Sequence, residues 1–114
     1  MSYIDQFRGK VPESKLRRTF IYLMLNKRNR FVKVGVSNNP TFREQTLQSE
    51  EPEIELIFKQ ETRAYVERFL HHVLKEKRVR GEWFELDQKD IESVPNHILA
   101  AEWLDPVNVE EICR

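Results

Sequence analysis

Two apolar runs, "TFIYLML" and "FVKVGV", enclose the polar stretch "NKRNR", a pattern that predicts two antiparallel strands and a connecting loop. Side chains alternate along a strand, so Ile21, Leu23 and Leu25 should share a buried face with Val32, Val34 and Val36. Tyr22, Lys33 and Gly35 then share the other face. "SNNPT" announces a helix, with Asn39 as N-cap and Pro40 at the first helical position, running to about Gln48. In "EPEIELIFKQ", Ile54, Leu56 and Phe58 alternate against Glu53, Glu55 and Ile57 and predict a third strand. Apolar residues at 66, 69, 70, 73 and 74 follow with helical spacing. "GEWFEL" reads as a brief extended segment. "DQKDIESV" predicts a short helix stopped by Pro95, "NHILAAEWL" another stopped at Asp105-Pro106, and "NVEEICR" a turn capped by Asn108. Together these elements predict an α+β fold, a small three-stranded antiparallel sheet flanked by helices, with extra C-terminal helices. Residues 1–18 hold Ile4, Phe7, Val11 and Leu16 without a sustained period and read as a loosely ordered basic arm that either docks or stays mobile.

Composition narrows the class. A chain of 114 residues buries one core, not two. With 33% charged residues and a mean hydropathy of -0.65, no apolar run approaches the roughly 20 residues that span a bilayer, so no membrane association is expected. The first residues contain no apolar stretch of signal-peptide type and the only cysteine is Cys113, which together suggest a cytoplasmic protein without a disulfide. Net charge is zero, but residues 1–50 hold ten Lys/Arg against four Asp/Glu, a net +6, and the remainder carries −6. Such a gradient suits one basic face for phosphates and one acidic face. From Glu82 onward, nine Asp/Glu face only Lys89 and Arg114.

The residues that break the apolar patterns carry the candidate chemistry. Lys33 interrupts a valine-rich strand, Tyr22 projects to the same side, and Arg43 opens the second turn of the helix after the hairpin. Glu67 sits one position past Val66, at the edge of the apolar stripe of its helix. A phenol, an ammonium, a guanidinium and a carboxylate converging on one cleft would suit phosphodiester hydrolysis. Each also has an ordinary reading. Tyr22 could pack across strands, Arg43 could pair with Glu44 or Glu50, and Glu67 with Arg63 or Arg68. His71 and His72 point about 100° apart and do not make a zinc site. Trp83 and Phe84 could stack on bases or plug the core.

In order and spacing these residues resemble the GIY-YIG nuclease superfamily, in particular its small phage and bacterial branch with a lysine in the second half of the motif. "FIY" (Phe20 to Tyr22) stands at the first triplet and "KVG" (Lys33 to Gly35) at the second. Arg43 follows at the arginine position, Glu67 at the glutamate, and His71 with "RGEWFEL" behind it. The resemblance implies a nuclease core over residues 19–86, between the basic arm 1–18 and an acidic helical extension 87–114. It implies an endonuclease acting on DNA, with Mg²⁺ (or Mn²⁺) held by Glu67 and Arg43 on the scissile phosphate. Tyr22 would be general base or would position the attacking water, with Lys33 as its electrostatic helper and His71 beside the cleft. Gly35 and Ser37 would lie against substrate, and Lys27, Arg28 and Arg30 would hold its backbone. The alternative is a non-catalytic module that binds nucleic acid or a protein. Sharp site choice would need a homodimer, DNA structure, or a protein partner, for which the acidic C-terminal segment offers a surface.

Overall fold

The computed structural model describes residues 2–114. Its elements run α1 (Tyr3–Phe7), α2 (Glu13–Leu16), β1 (Arg18–Asn26), β2 (Val32–Ser37), α3 (Pro40–Gln48), β3 (Ile54–Arg63), α4 (Val66–Val73), β4 (Arg78–Arg80), β5 (Trp83–Phe84) and α5 (Gln88–Ile112). The sheet has five strands in the order β3-β1-β2-β5-β4, with every pairing antiparallel. The three-stranded expectation is therefore two strands short. The extended "GEWFEL" segment became β5, whereas β4 left no trace in the pattern, because all three of its residues are exposed and none alternates. It forms where the chain folds back at Gly81, whose positive φ of 54° suits a two-residue turn between Arg80 and Trp83.

The hairpin register pairs Ile21 with Val36, Tyr22 with Gly35, Leu23 with Val34 and Met24 with Lys33. Its alternation divides the interior in two. On one face Ile21, Leu23, Val32 and Val34 pack with Val66, Phe69 and Leu70 of α4 and with Val94, Ile98 and Ala101 of α5. On the other, Tyr22, Met24 and Ile54 form a smaller cluster with Leu47 of α3, Leu56 and Trp83. The predicted common face of Ile54, Leu56 and Phe58 does not survive. Met24 pairs with Leu56 and Leu23 with Phe58, so a bulge at Ile57 turns Phe58 over to the larger core.

Two further expectations change at the ends of the chain. The helix predicted to stop at Pro95 runs through it, because Val94, Ile98 and Ala101 are all fully buried on one side of α5. That burial outweighs the hydrogen bond that proline cannot make. The stop expected at Asp105-Pro106 is present, with Asp105 at φ 73° and ψ 164°. Its Oδ1 accepts from Asn108 N at 2.9 Å, so Asp105 caps the final helical stretch in place of Asn108, and Pro106 takes the first helical position.

Of the two outcomes open to the N-terminal arm, it docks. Leu16 is fully buried, Tyr65 N donates to Lys15 O at 2.8 Å, and Ala64 N donates to Arg17 O at 3.0 Å. Arg63 completes the clasp, its guanidinium stacked 3.9 Å from the Tyr3 ring and donating to Leu16 O. Among the described residues no helix is long and apolar enough to cross a membrane.

Candidate active site

The site forms where β2 loses its outer partner. β5 pairs with β2 only at Val32 and Lys33, and one further bond joins Val34 N to Glu82 O at 2.9 Å. Past Val34 the outer edge of β2 is open. Tyr22, only 2% exposed, lies over its cross-strand neighbour Gly35 just inside that edge. A Cβ at Gly35 would lie 2.6 Å from Tyr22 Oη and 3.2 Å from Glu82 Oε2. The absent side chain thus makes room for the protein's own phenol.

Around this opening the charges act on one another. Burial pushes the Tyr22 phenol above its ordinary pKa; Arg43 pulls it back, and the carboxylates of Glu82 and Glu67 push it up further. Glu67 comes from α4 on the far side of the sheet, with its side chain 20% exposed. Its pKa is raised by burial and then by Glu82, against the opposing pull of His71, Lys15 and Arg17. Two carboxylates, a phenol and a guanidinium therefore share one field, while the docked arm adds two cations from behind. Lys33 is the outlier. It stands beside Met24, with Nζ 3.9 Å from Glu82 Oε2 and 5.7 Å from the centre of the Trp83 ring. Its charged neighbour on the Tyr22 side is Glu82.

The ordinary pairings for these residues are not made. Arg63 is engaged with Tyr3 and Leu16, Arg68 with Glu110. Glu44 accepts from Leu56 N. None of the ion pairs among the described residues involves Arg43. His71 is committed to the fold: its Nε2–H donates to Val34 O at 2.8 Å, and its ring lies 5.2 Å from Phe84. Ser37 Oγ accepts from Asn39 N at 3.0 Å and helps set the start of α3. The three hairpin cations part company. Lys27 is exposed, Arg28 pairs with Glu51, and Arg30 lies toward Leu86 and Asp87.

Glu82 is the site residue that sequence reasoning missed. It lies inside the quoted "GEWFEL", but nothing in that short segment shows which side chain turns toward Tyr22. Lys15 and Arg17 were read only as arm charges, because their nearness to Glu67 depends on the docked backbone. Among the described residues no cluster of three or more His, Cys, Asp or Glu could hold a metal ion. Glu67 and Glu82 still fit a hard divalent cation, since Mg²⁺ keeps most of its waters and binds through one or two carboxylates. Their mutual repulsion is what such an ion would relieve.

An α+β domain with an open sheet edge and mixed carboxylate and cationic side chains is the class that fold and site define. The model of the T5orf172 domain matches residues 19–99, and the chain belongs to that family. This finding overturns the resemblance to the GIY-YIG superfamily drawn from "FIY" and "KVG"; the family matched is T5orf172. No curated protein and no solved structure matches the chain.

Proposed function

We propose that this protein is a divalent-cation-dependent endonuclease that hydrolyses phosphodiester bonds in DNA. The T5orf172 family is one of nuclease-like, DNA-binding domains, which fits a nucleic-acid-related role for the chain. The observation that carries the reading is the meeting of Tyr22, Arg43, Glu67 and Glu82 in one field at the open edge of β2. Arg43, unpaired by any carboxylate, binds the scissile phosphate and offsets the charge that builds up in the transition state. Glu67 and Glu82 hold Mg²⁺ (or Mn²⁺), which when bound supplies Lewis-acid polarisation of the phosphate and a more acidic water. Lys33 steadies Glu82 from the opposite side.

The raised pKa of Tyr22 favours the positioning role over that of general base. A buried phenol whose pKa is raised further by the charges of Glu82 and Glu67 stays protonated at neutral pH, and in this reading it acts by positioning. Its proton points a hydrogen bond at phosphate, and its lone pair accepts one from the attacking water. His71 fixes β2 against α4 and so keeps Glu67 at the cleft. In this reading residues 19–86 are the catalytic core, the arm 1–18 carries Lys15 and Arg17 to its rear, and residues 87–114 brace it with α5.

The test is nicking of supercoiled plasmid with Mg²⁺, Mn²⁺ or EDTA by wild type, Glu67→Gln and Arg43→Ala. Nicking that needs the cation and is lost in both variants supports the enzyme. A wild type that shifts DNA in a salt-sensitive way but never cuts it would make the domain a binding module.

A further inference from the structure

Next to the proposed catalytic cleft lies a cavity of about 560 Å³, and Lys33 belongs to both. Its size falls among the pockets of about 300–1,000 Å³ that take organic ligands, well beyond what one phosphate needs. The walls are aromatic and cationic. Trp83 and Phe31 are half-buried on them, while Leu47 and Ile54 supply apolar surface. Trp83 is held by the smaller core cluster, and its neighbour Phe84 is fully buried in the other. One aromatic of the pair therefore plugs the core, and the other is left with surface to offer. Arg28, Lys33 and Arg80 outnumber the carboxylates Glu50 and Glu51, and Glu51 is already tied to Arg28. Arg80 stands directly across the β4–β5 turn from Trp83. An aromatic platform with a cation at each end is the arrangement that receives one base and the phosphates flanking it.

From this geometry we infer that the cavity is a pocket for a single unstacked nucleobase, so that the protein acts on DNA with an unpaired nucleotide beside the scissile phosphate. The inference rests on the nuclease reading for its substrate and adds the substrate's structural class. A base inside a continuous duplex cannot reach Trp83 without leaving the stack. A strand, bulge or junction in which the base is already free has no such barrier. Lys33 then has a second task, holding the phosphate between pocket and cleft.

Binding can be read without cleavage. Trp103 is 85% exposed, so Trp103→Phe leaves Trp83 as the sole tryptophan without disturbing the core. In EDTA that variant is titrated with a 12-nucleotide single strand, the matching blunt duplex, and the duplex carrying one bulged nucleotide. The expected result is saturable quenching of Trp83 by the single strand and the bulged duplex, with affinity about tenfold or more above the blunt duplex at equal salt. Arg80→Ala should weaken binding but keep the quenching at saturation, because the base would still stack. Equal affinity for all three DNAs with unchanged Trp83 emission overturns the pocket, as does no binding at all. Plasmid nicking is scored separately. Quenching without nicking supports the pocket and removes the nuclease, and nicking without quenching does the reverse.

Discussion

The two faces of the sheet are built from alternate residues of the same strands, yet they serve different ends. On the face toward α4 and α5, Ile21, Leu23, Val32 and Val34 are each fully buried among other apolar side chains. On the face toward α3 the equivalent positions are Tyr22, Met24, Lys33 and Gly35, and the apolar cluster there is small. The first face is closed and chemically uniform. The second ends at an unpaired stretch of β2, where polar groups can be buried on one side and reach solvent on the other. One strand can therefore stabilise the fold with its odd or even positions and leave the rest free for chemistry, provided the two sets never exchange.

The sharpest way to break this comparison is to damage each face and read stability against cleavage. Leu23→Ala should lower unfolding free energy by about 2–5 kcal/mol in urea melts, a large share of the total for a domain of this size. Arg43→Ala, on the other face, should leave the urea midpoint nearly unchanged and reduce nicking about 10²–10³-fold. If Arg43→Ala unfolds the protein, or Leu23→Ala leaves it intact, the division of labour between faces is wrong.

Gly35→Ala tests how tightly the second face is packed. No positive φ protects this glycine, so any penalty comes from the Tyr22 ring 2.7 Å from the new Cβ. Overpacking of this kind costs about 1–3 kcal/mol. A double-mutant cycle with Tyr22→Leu should recover part of that loss as coupling between the two positions. Simple additivity would mean the clash lies elsewhere.

The smallest expected effect is in the pH dependence. The folded-state pKa of Glu67 lies above its ordinary 4.5 because burial and Glu82 disfavour the charged form. Its favourable contribution is complete below the unfolded value and is lost as pH rises through the folded one. Glu67→Gln should therefore melt slightly higher than wild type at pH 7.5 and no higher at pH 4. Added Mg²⁺ should narrow the gap at pH 7.5 by stabilising the wild-type carboxylate.

Much of this was legible in the order of residues. Ile21 to Val36 announced a hairpin with one apolar face, and Asn39-Pro40 announced α3, whose Asn39 Oδ1 does accept from Phe42 N. Val66, Phe69 and Leu70 announced the buried stripe of α4. These signals are local, because a strand or helix repeats its side chains at a fixed period and a cap acts within one turn. The bulge at Ile57 was not legible, since an inserted residue changes the face of everything after it while leaving the alternation of letters intact. Pro95 misled because the burial that overrides it comes from α4, far away in sequence.

At the site the same line separates the two kinds of knowledge. The sequence offered Tyr22, Lys33, Arg43 and Glu67 as candidates, each with an ordinary reading beside it, and joined them through their spacing in a family resemblance that the matched family replaces. Only the tertiary structure decided that Glu82 joins Tyr22 and Glu67, that Lys33 faces Trp83, and that Lys15 and Arg17 come near Glu67. The reason is physical. Periodicity states which way a side chain points from its own backbone, but the charges and rings it meets belong to elements brought beside it by burial of the opposite face.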